Sequence, residues 1–180
     1  MNSFLPKDYK APVSEGNYFK FKQGENTFRI LSSAIVGFQH WTKDNKPVRT
    51  REALSERPDN AKVDDNGNFQ KHFWAFVVYN YDAKKPQIME ITQRTLQQGI
   101  GALSDNAKWG DVKGYDIVVN AKGEGLEREY SVLPEPKSDA PKVDISKINL
   151  NALFDGADPF SENKSEYPTD EGLKAEDVPF

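Results

Sequence analysis

The sequence predicts a mainly β protein, a small barrel of five strands with one helix, followed by a disordered acidic tail. Three observations predict it. Strand-forming runs recur along residues 26–133 with turn residues between them. One helical period stands alone, between the third and fourth of those runs. The composition then changes at Pro134, beyond which proline and acidic residues dominate.

The elements follow in chain order. Residues 1–25 mix Pro, Lys and Asp with Phe4, Tyr9, Tyr18, Phe19 and Phe21, and read as an arm that packs on the barrel. Residues 26–41 form the first strand, with Phe28, Ile30, Leu31, Ile35, Val36 and Phe38; Gly37 inside it suggests a bulge or sharp bend. Residues 42–70 are a long polar connection containing Pro47 and Pro58, a length that usually serves function or mobility. The clearest strand is His72–Tyr81, apolar on both faces, so one face meets the core and the other meets something else. Asp82–Pro86 turn the chain into a third strand, Gln87–Thr92. Thr92 can cap a helix over 93–104 that aligns Leu96, Ile100 and Leu103. Within it Gly99 and Gly101 each cost about 1 kcal/mol of helix propensity relative to alanine. Strands over 115–121 and 128–133 complete the body around the turn Lys122–Gly125. Three strands, a helix and two strands is the order of the OB-fold, a five-stranded Greek-key barrel with its helix between strands three and four.

Residues 134–141 read as a linker, and Asp144–Phe154 as one short helix that docks or stays transient. The chain thus divides into an arm (1–25), an OB-fold domain (26–134) and an acidic interaction tail (135–180).

Charge divides the same way. Residues 135–180 hold eleven acidic side chains against five lysines, a net -6; within a total of -4 this leaves residues 1–134 at +2. A mildly basic body with an acidic tail suits a nucleic-acid binder. Mean hydropathy is -0.76 although aromatics make up 12% of the chain, so a real core is diluted by a polar segment. With no cysteine, disulfides, thiolate metal sites and cysteine nucleophiles are excluded. No phosphate-binding Gly-Lys-Ser/Thr loop, HExxH or nuclease-like acid spacing occurs, so no enzyme, cofactor or metal is expected. His40 and His72 read as neighbours of a binding surface. No apolar leader or membrane-length apolar run is present, which suggests a cytoplasmic protein.

Proteins that hold single strands stack bases on aromatic rings and follow the phosphates with lysine and arginine. The residues of that type are Phe38, Trp41, Trp74, Tyr79 and Tyr81, interleaved with Lys43, Lys46, Arg49, Arg51, Lys71, Lys84 and Lys85. Strand parity puts Tyr79 and Tyr81 on one face; Trp74 takes the other unless a bulge intervenes. Structural roles for these side chains, as barrel filling and solvated surface, compete with this reading.

The body resembles phage single-stranded DNA-binding proteins over residues 9–134, through Tyr18–Phe21, Phe28–Leu31, Lys71–Phe76 and Trp109-Gly110. Its ending, Glu176, Asp177, Val178, Pro179 and Phe180, resembles the C-terminal tip of bacterial single-stranded DNA-binding proteins. The resemblance implies sequence-tolerant single-stranded DNA binding in replication, recombination or repair, in a host cytoplasm if phage-encoded. The tip implies recruitment of replication or recombination proteins, with Phe180 filling an apolar pocket. The chain departs from the pattern in its short acidic run, broken by Lys174, in its lack of a zinc cluster, and in its long 42–70 connection. An OB-fold adaptor that binds only proteins is the alternative, and low aromatic density in the body would have favoured it.

Overall fold

A computed structural model describes Phe4 and residues 16–161. Its frame is one open antiparallel sheet of seven strands: β1 (Gly24–Ile30), β2 (Ile35–Trp41), β3 (Pro47–Thr50), β4 (Gln70–Asn80), β5 (Lys85–Ile91), β6 (Tyr115–Lys122) and β7 (Glu129–Lys137). The single α-helix among the described residues, α1 (Arg94–Asp105), joins β5 to β6. The strands run in the order β3-β2-β4-β1-β6-β7, and β5 pairs with the opposite edge of β4.

The sequence's first strand is two strands. β2 pairs with the first half of β4 (Ile35 opposite Ala75, His40 opposite Gln70), and β1 with its last residues (Phe28 opposite Asn80, Ile30 opposite Val78). Between them the chain bends at Leu31–Ala34, where a serine hydroxyl maintains the pairing. Leu31 N–H donates to Val77 O at 2.8 Å, and Val77 N–H donates to Ser32 Oγ at 2.9 Å. The bend therefore lies upstream of Gly37. Gly37 sits inside β2 because a Cβ there would meet Thr50 O at 2.5 Å and Phe154 Cε1 at 2.9 Å.

Proline-containing stretches read as connections also proved to be strands. Pro47 opens β3, where a missing N–H is tolerated. β7 runs on through Pro134 and Pro136 to Lys137, as an edge strand can, with a register shift opposite Tyr115–Ile117. Thr92 does not cap α1: Gln93 occupies the N-cap position, without a side-chain cap.

Both faces of β4 are buried, by different layers. Phe76 and Val78 join Phe28, Ile30, Met89, Ile91, Tyr115, Ile117 and Val119, closed off by Leu96, Ile100 and Leu103 of α1. On the other face, Phe73, Ala75, Val77 and Ile88 meet the chain's own C-terminal segment, through Ile145, Ile148, Leu150, Leu153, Phe154 and Phe160. Only Leu150–Asp155 of that segment is helical, as a 3-10 turn that Gly156 ends at φ 70°. Burying a side chain such as Leu153 stabilises this docking by about 1.5–3 kcal/mol. The upstream segment covers an edge: Phe19 N–H donates to Ile88 O at 2.8 Å, and Ile88 N–H to Asn17 O at 2.9 Å. Phe19 and Phe21 then pack edge-to-face on Phe28.

At the far end of β4, Arg29 is fully buried. Its Nε donates to Asp116 Oδ1 at 2.9 Å, and one terminal nitrogen donates to the carbonyl and hydroxyl oxygens of Ser138 at 3.1 and 2.6 Å. Tyr81 O–H donates to the same Asp116 oxygen at 2.7 Å. Burial, with the Asp116 hydrogen bond and charge, pushes the Tyr81 phenol up to about 12. A phenol raised above its ordinary value near 10 keeps its proton longer in the folded state than in the unfolded one. Its contribution is therefore complete below pH 10 and lost as pH rises from 10 towards 12. Tyr81→Phe is expected to cost about 1.5–3 kcal/mol at pH 8. The gap from the native protein should narrow above pH 10, which urea unfolding at pH 8, 10 and 11.5 checks; a gap of constant size contradicts the assignment.

Candidate functional site

β4 is eleven residues long, roughly 35 Å, and the twelve basic and aromatic residues singled out from the body divide along it. Six gather at the β2–β3 end. Phe38 stands opposite His72 with ring centroids 5.1 Å apart, and Trp74 stands opposite Val36 on β2 and Ile91 on β5. His72 Nδ1 donates to Gly37 O at 2.9 Å, which fixes the ring beside Phe38. Val36, Phe38, His72 and Trp74 share the face that carries Phe76 and Val78 into the core. Beyond Phe76 the cover of α1 thins: Trp74 is half-buried, His72 exposed, and Val36 and Val48 are 53% and 38% exposed. An aromatic and apolar strip thus lies open on the sheet.

Trp41 and Lys71 occupy the opposite face at this end; Trp41 pairs with Pro47 and is 44% exposed. Lys43 and Lys46 are exposed in the β2–β3 turn, closed by Thr42 N–H to Lys46 O (2.9 Å) and Lys46 N–H to Thr42 Oγ1 (3.1 Å). The 51–69 loop folds back on this hairpin: Lys43 N–H donates to Asn60 O and Lys62 N–H to Trp41 O, both at 2.7 Å. Among the described residues, Lys43, Lys46 and Lys71 form no ion pair.

Arg49 and Arg51 are committed elsewhere. Arg49 grips Glu90 bidentately, Nε to Oε2 at 2.5 Å and the second nitrogen to Oε1 at 3.1 Å, with side chains only 11% and 17% exposed. The Arg51 guanidinium lies 4.3 Å from the centre of the Phe154 ring, a cation–π contact that fastens the C-terminal segment to the sheet. The remaining four lie at the other end of β4. Tyr79 and Tyr81 meet edge-to-face at 5.1 Å, Tyr81 belongs to the Arg29 network, and Lys84 and Lys85 turn the chain into β5. The tip residues Glu176, Asp177, Val178, Pro179 and Phe180 lie outside the described residues.

The structure adds Val36 and Val48 to the strip, and Arg94 and Gln98 of α1 beside it; of the two histidines read as neighbours of a binding surface, His72 lies in the strip and His40 is buried. His72 has the parity of Trp74, which places it on the same face. Among the described residues, no group of three or more His, Cys, Asp or Glu is arranged to hold a metal ion, and no helix is long and apolar enough to cross a membrane.

A semi-buried bidentate pair is costly to break from one side only, because the other charge stays unpaired. Glu90→Gln is expected to destabilise the fold by about 3 kcal/mol, measured by urea unfolding; a change below about 0.5 kcal/mol would mean that Arg49 finds solvent instead. No protein-family model, no curated protein and no solved structure matches this chain.

Proposed function

We propose that this protein is a non-enzymatic, sequence-tolerant binder of single-stranded DNA built on an opened OB-fold. The observation that carries the proposal is the strip of half-buried Phe38 and Trp74 with exposed His72 on one sheet face, and Lys71, Lys43 and Lys46, which form no ion pair among the described residues, at the same end of the sheet. Rings accept any base by stacking, while the cations replace counterions along the phosphates.

The fold reading is supported by the pairing scheme. Taken as one strand bent at Leu31–Ala34, β1 and β2 pair with β4 and β6; β4 pairs with β5, β6 with β7, and α1 lies between the third and fourth strands so counted. Among the described residues β5 and β7 do not pair to close the barrel. Asn17–Phe19 takes the outer edge of β5, and α1 lies against β7 through Gly99 and Val132.

An OB-fold's usual ligand surface is the outer face of its second and third strands. Here residues 145–160 cover that face, so the proposed path runs along the strip beside α1 and leaves out Tyr79, Tyr81, Lys84 and Lys85. The acidic tail and its tip, in this reading, recruit replication or recombination proteins during phage DNA metabolism.

Anisotropy titration of a labelled oligo-dT tests the path. Trp74→Ala and Phe38→Ala are each expected to weaken binding by about 1–3 kcal/mol. Lys71→Ala should reduce the log–log salt slope by about 0.7, and Lys84→Ala should leave it unchanged. Equal effects of Lys71→Ala and Lys84→Ala would place the strand elsewhere. The tip is tested separately. Phe180→Ala removes no charge and should leave oligo-dT affinity unchanged while abolishing pull-down of replication partners; retained partners would make the terminal motif incidental.

A further inference from the structure

The aromatic strip has a direction. Trp74 and His72 stand on β4, Val36 and Phe38 opposite them on β2, and Val48 opposite His40 on β3. The strip therefore crosses the strands instead of following one of them. It ends on β3, the last strand of the sheet on that side, where Val48 is exposed.

The other face is closed over part of this width. Phe154 packs on Gly37, next to the Thr50 end of β3, and Arg51 lies over its ring. The Pro47 end is left open: Trp41, paired with Pro47 and facing away from the strip, is 44% exposed. Around it the β2–β3 turn brings Lys43 and Lys46, and the returning loop adds Lys62, whose ammonium donates to Asn45 Oδ1. Asp44 is the one acid between Trp41 and Arg49, so the turn stays positive. We infer that single-stranded DNA leaves the strip over the β3 edge and stacks a further base on Trp41, on the opposite face of the sheet, with Lys43, Lys46 and Lys62 beside the phosphates of the crossing.

This route accounts for a mismatch between rings and cations. The rings of the strip are on one face, whereas Lys43 and Lys46 belong to the turn and Lys71 stands opposite Gln39 on the face of Trp41. A strand confined to the strip would run out of cations at β3. One that rounds the edge meets Lys46 and Lys43 and then, past Trp41, Lys71. Stacking on an indole accepts any base, as sequence-tolerant binding requires. Val36, opposite Trp74, precedes Trp41 by five residues, which separates the two indoles by about 17 Å along β2. Bases stacked in a strand follow one another at about 3.4 Å, so the indoles hold bases several nucleotides apart. Only a strand long enough to span them uses both. The inference rests on the single-stranded DNA reading and adds where the strand goes once it leaves the strip.

The test uses the full chain with oligo-dT of about four and about sixteen nucleotides, the extremes of site size for one OB-fold, the short one read by competition at low salt. Trp41→Ala is expected to bind the long oligomer about tenfold more weakly and the short one as the native protein does, whereas Trp74→Ala weakens both. Trp41→Phe keeps a ring and should recover most of the loss. Native-like binding of the long oligomer by Trp41→Ala overturns the inference, and leaves the strip reading standing if Trp74→Ala still weakens binding. Equal weakening on both lengths also overturns it, since Trp41 would then act through the strip or the fold. If Trp41→Ala unfolds early in a thermal melt, Trp41→Val, a better strand former, takes its place on the same criteria. A native protein that binds neither oligomer at low salt overturns the DNA reading and this inference together, before any variant is compared.

Discussion

The buried guanidinium of Arg29 is the constraint on which the arrangement of the sheet depends. A charge at 0% exposure is tolerable only if nearly all its donors are met. Here the partners come from two stretches remote from Arg29 in the chain: the Lys113 carbonyl and Asp116 around the start of β6, and Ser138 just past β7. Each must be in register for the others to be useful. Arg29 stands opposite Tyr79 on one side and Asp116 on the other, so a slip of one residue by β4 or β6 would expose the cost of the whole charge. Fixing Ser138 also fixes where β7 ends, and hence where the following segment begins its return across the sheet.

That return decides which surface remains open. Residues 145–160 lie over Phe73, Ala75 and Val77, held at Phe154 both by Arg51 over its ring and by its close approach to Gly37. A strand that is apolar on both faces needs two partners. This chain supplies both itself, with α1 on one side and its own C-terminal segment on the other. Among the described residues, what stays uncovered is the part of β2 and β4 that reaches past α1, where the aromatic strip lies.

Much of this could be read in the sequence, and the failures have physical causes. The two-sided burial of β4 and the opposite faces of Trp74 and Tyr79 follow from period-two alternation. The break at Leu31–Ala34 was invisible because Ser32 supplies from its side chain a hydrogen bond that the pattern credits to the backbone. β3 and the end of β7 were hidden by prolines, which signal turns unless the strand is known to lie at an edge. For the candidate site, residue type singles out Phe38, Trp74 and Lys71, and register brings them to one end of the sheet. Arg49 and Arg51 looked like phosphate ligands because their partners, Glu90 and Phe154, are remote in the chain and become neighbours only when β3 lies beside the rest of the sheet.

The hydrogen bonds between residues 17–19 and β5 have a consequence for how such a sheet survives at high concentration. An open sheet exposes rows of unsatisfied amides and carbonyls, and each row can recruit a strand from another molecule. Closing into a barrel removes the hazard at once. This chain removes it piecemeal: β5 is capped by its own upstream segment, β3 is only four residues long and begins with proline, and β7 carries prolines at 134 and 136. None of the three offers a long regular template for intermolecular pairing. The sheet can therefore stay open, and keep a groove beside its helix, without the tendency to aggregate that openness would otherwise bring.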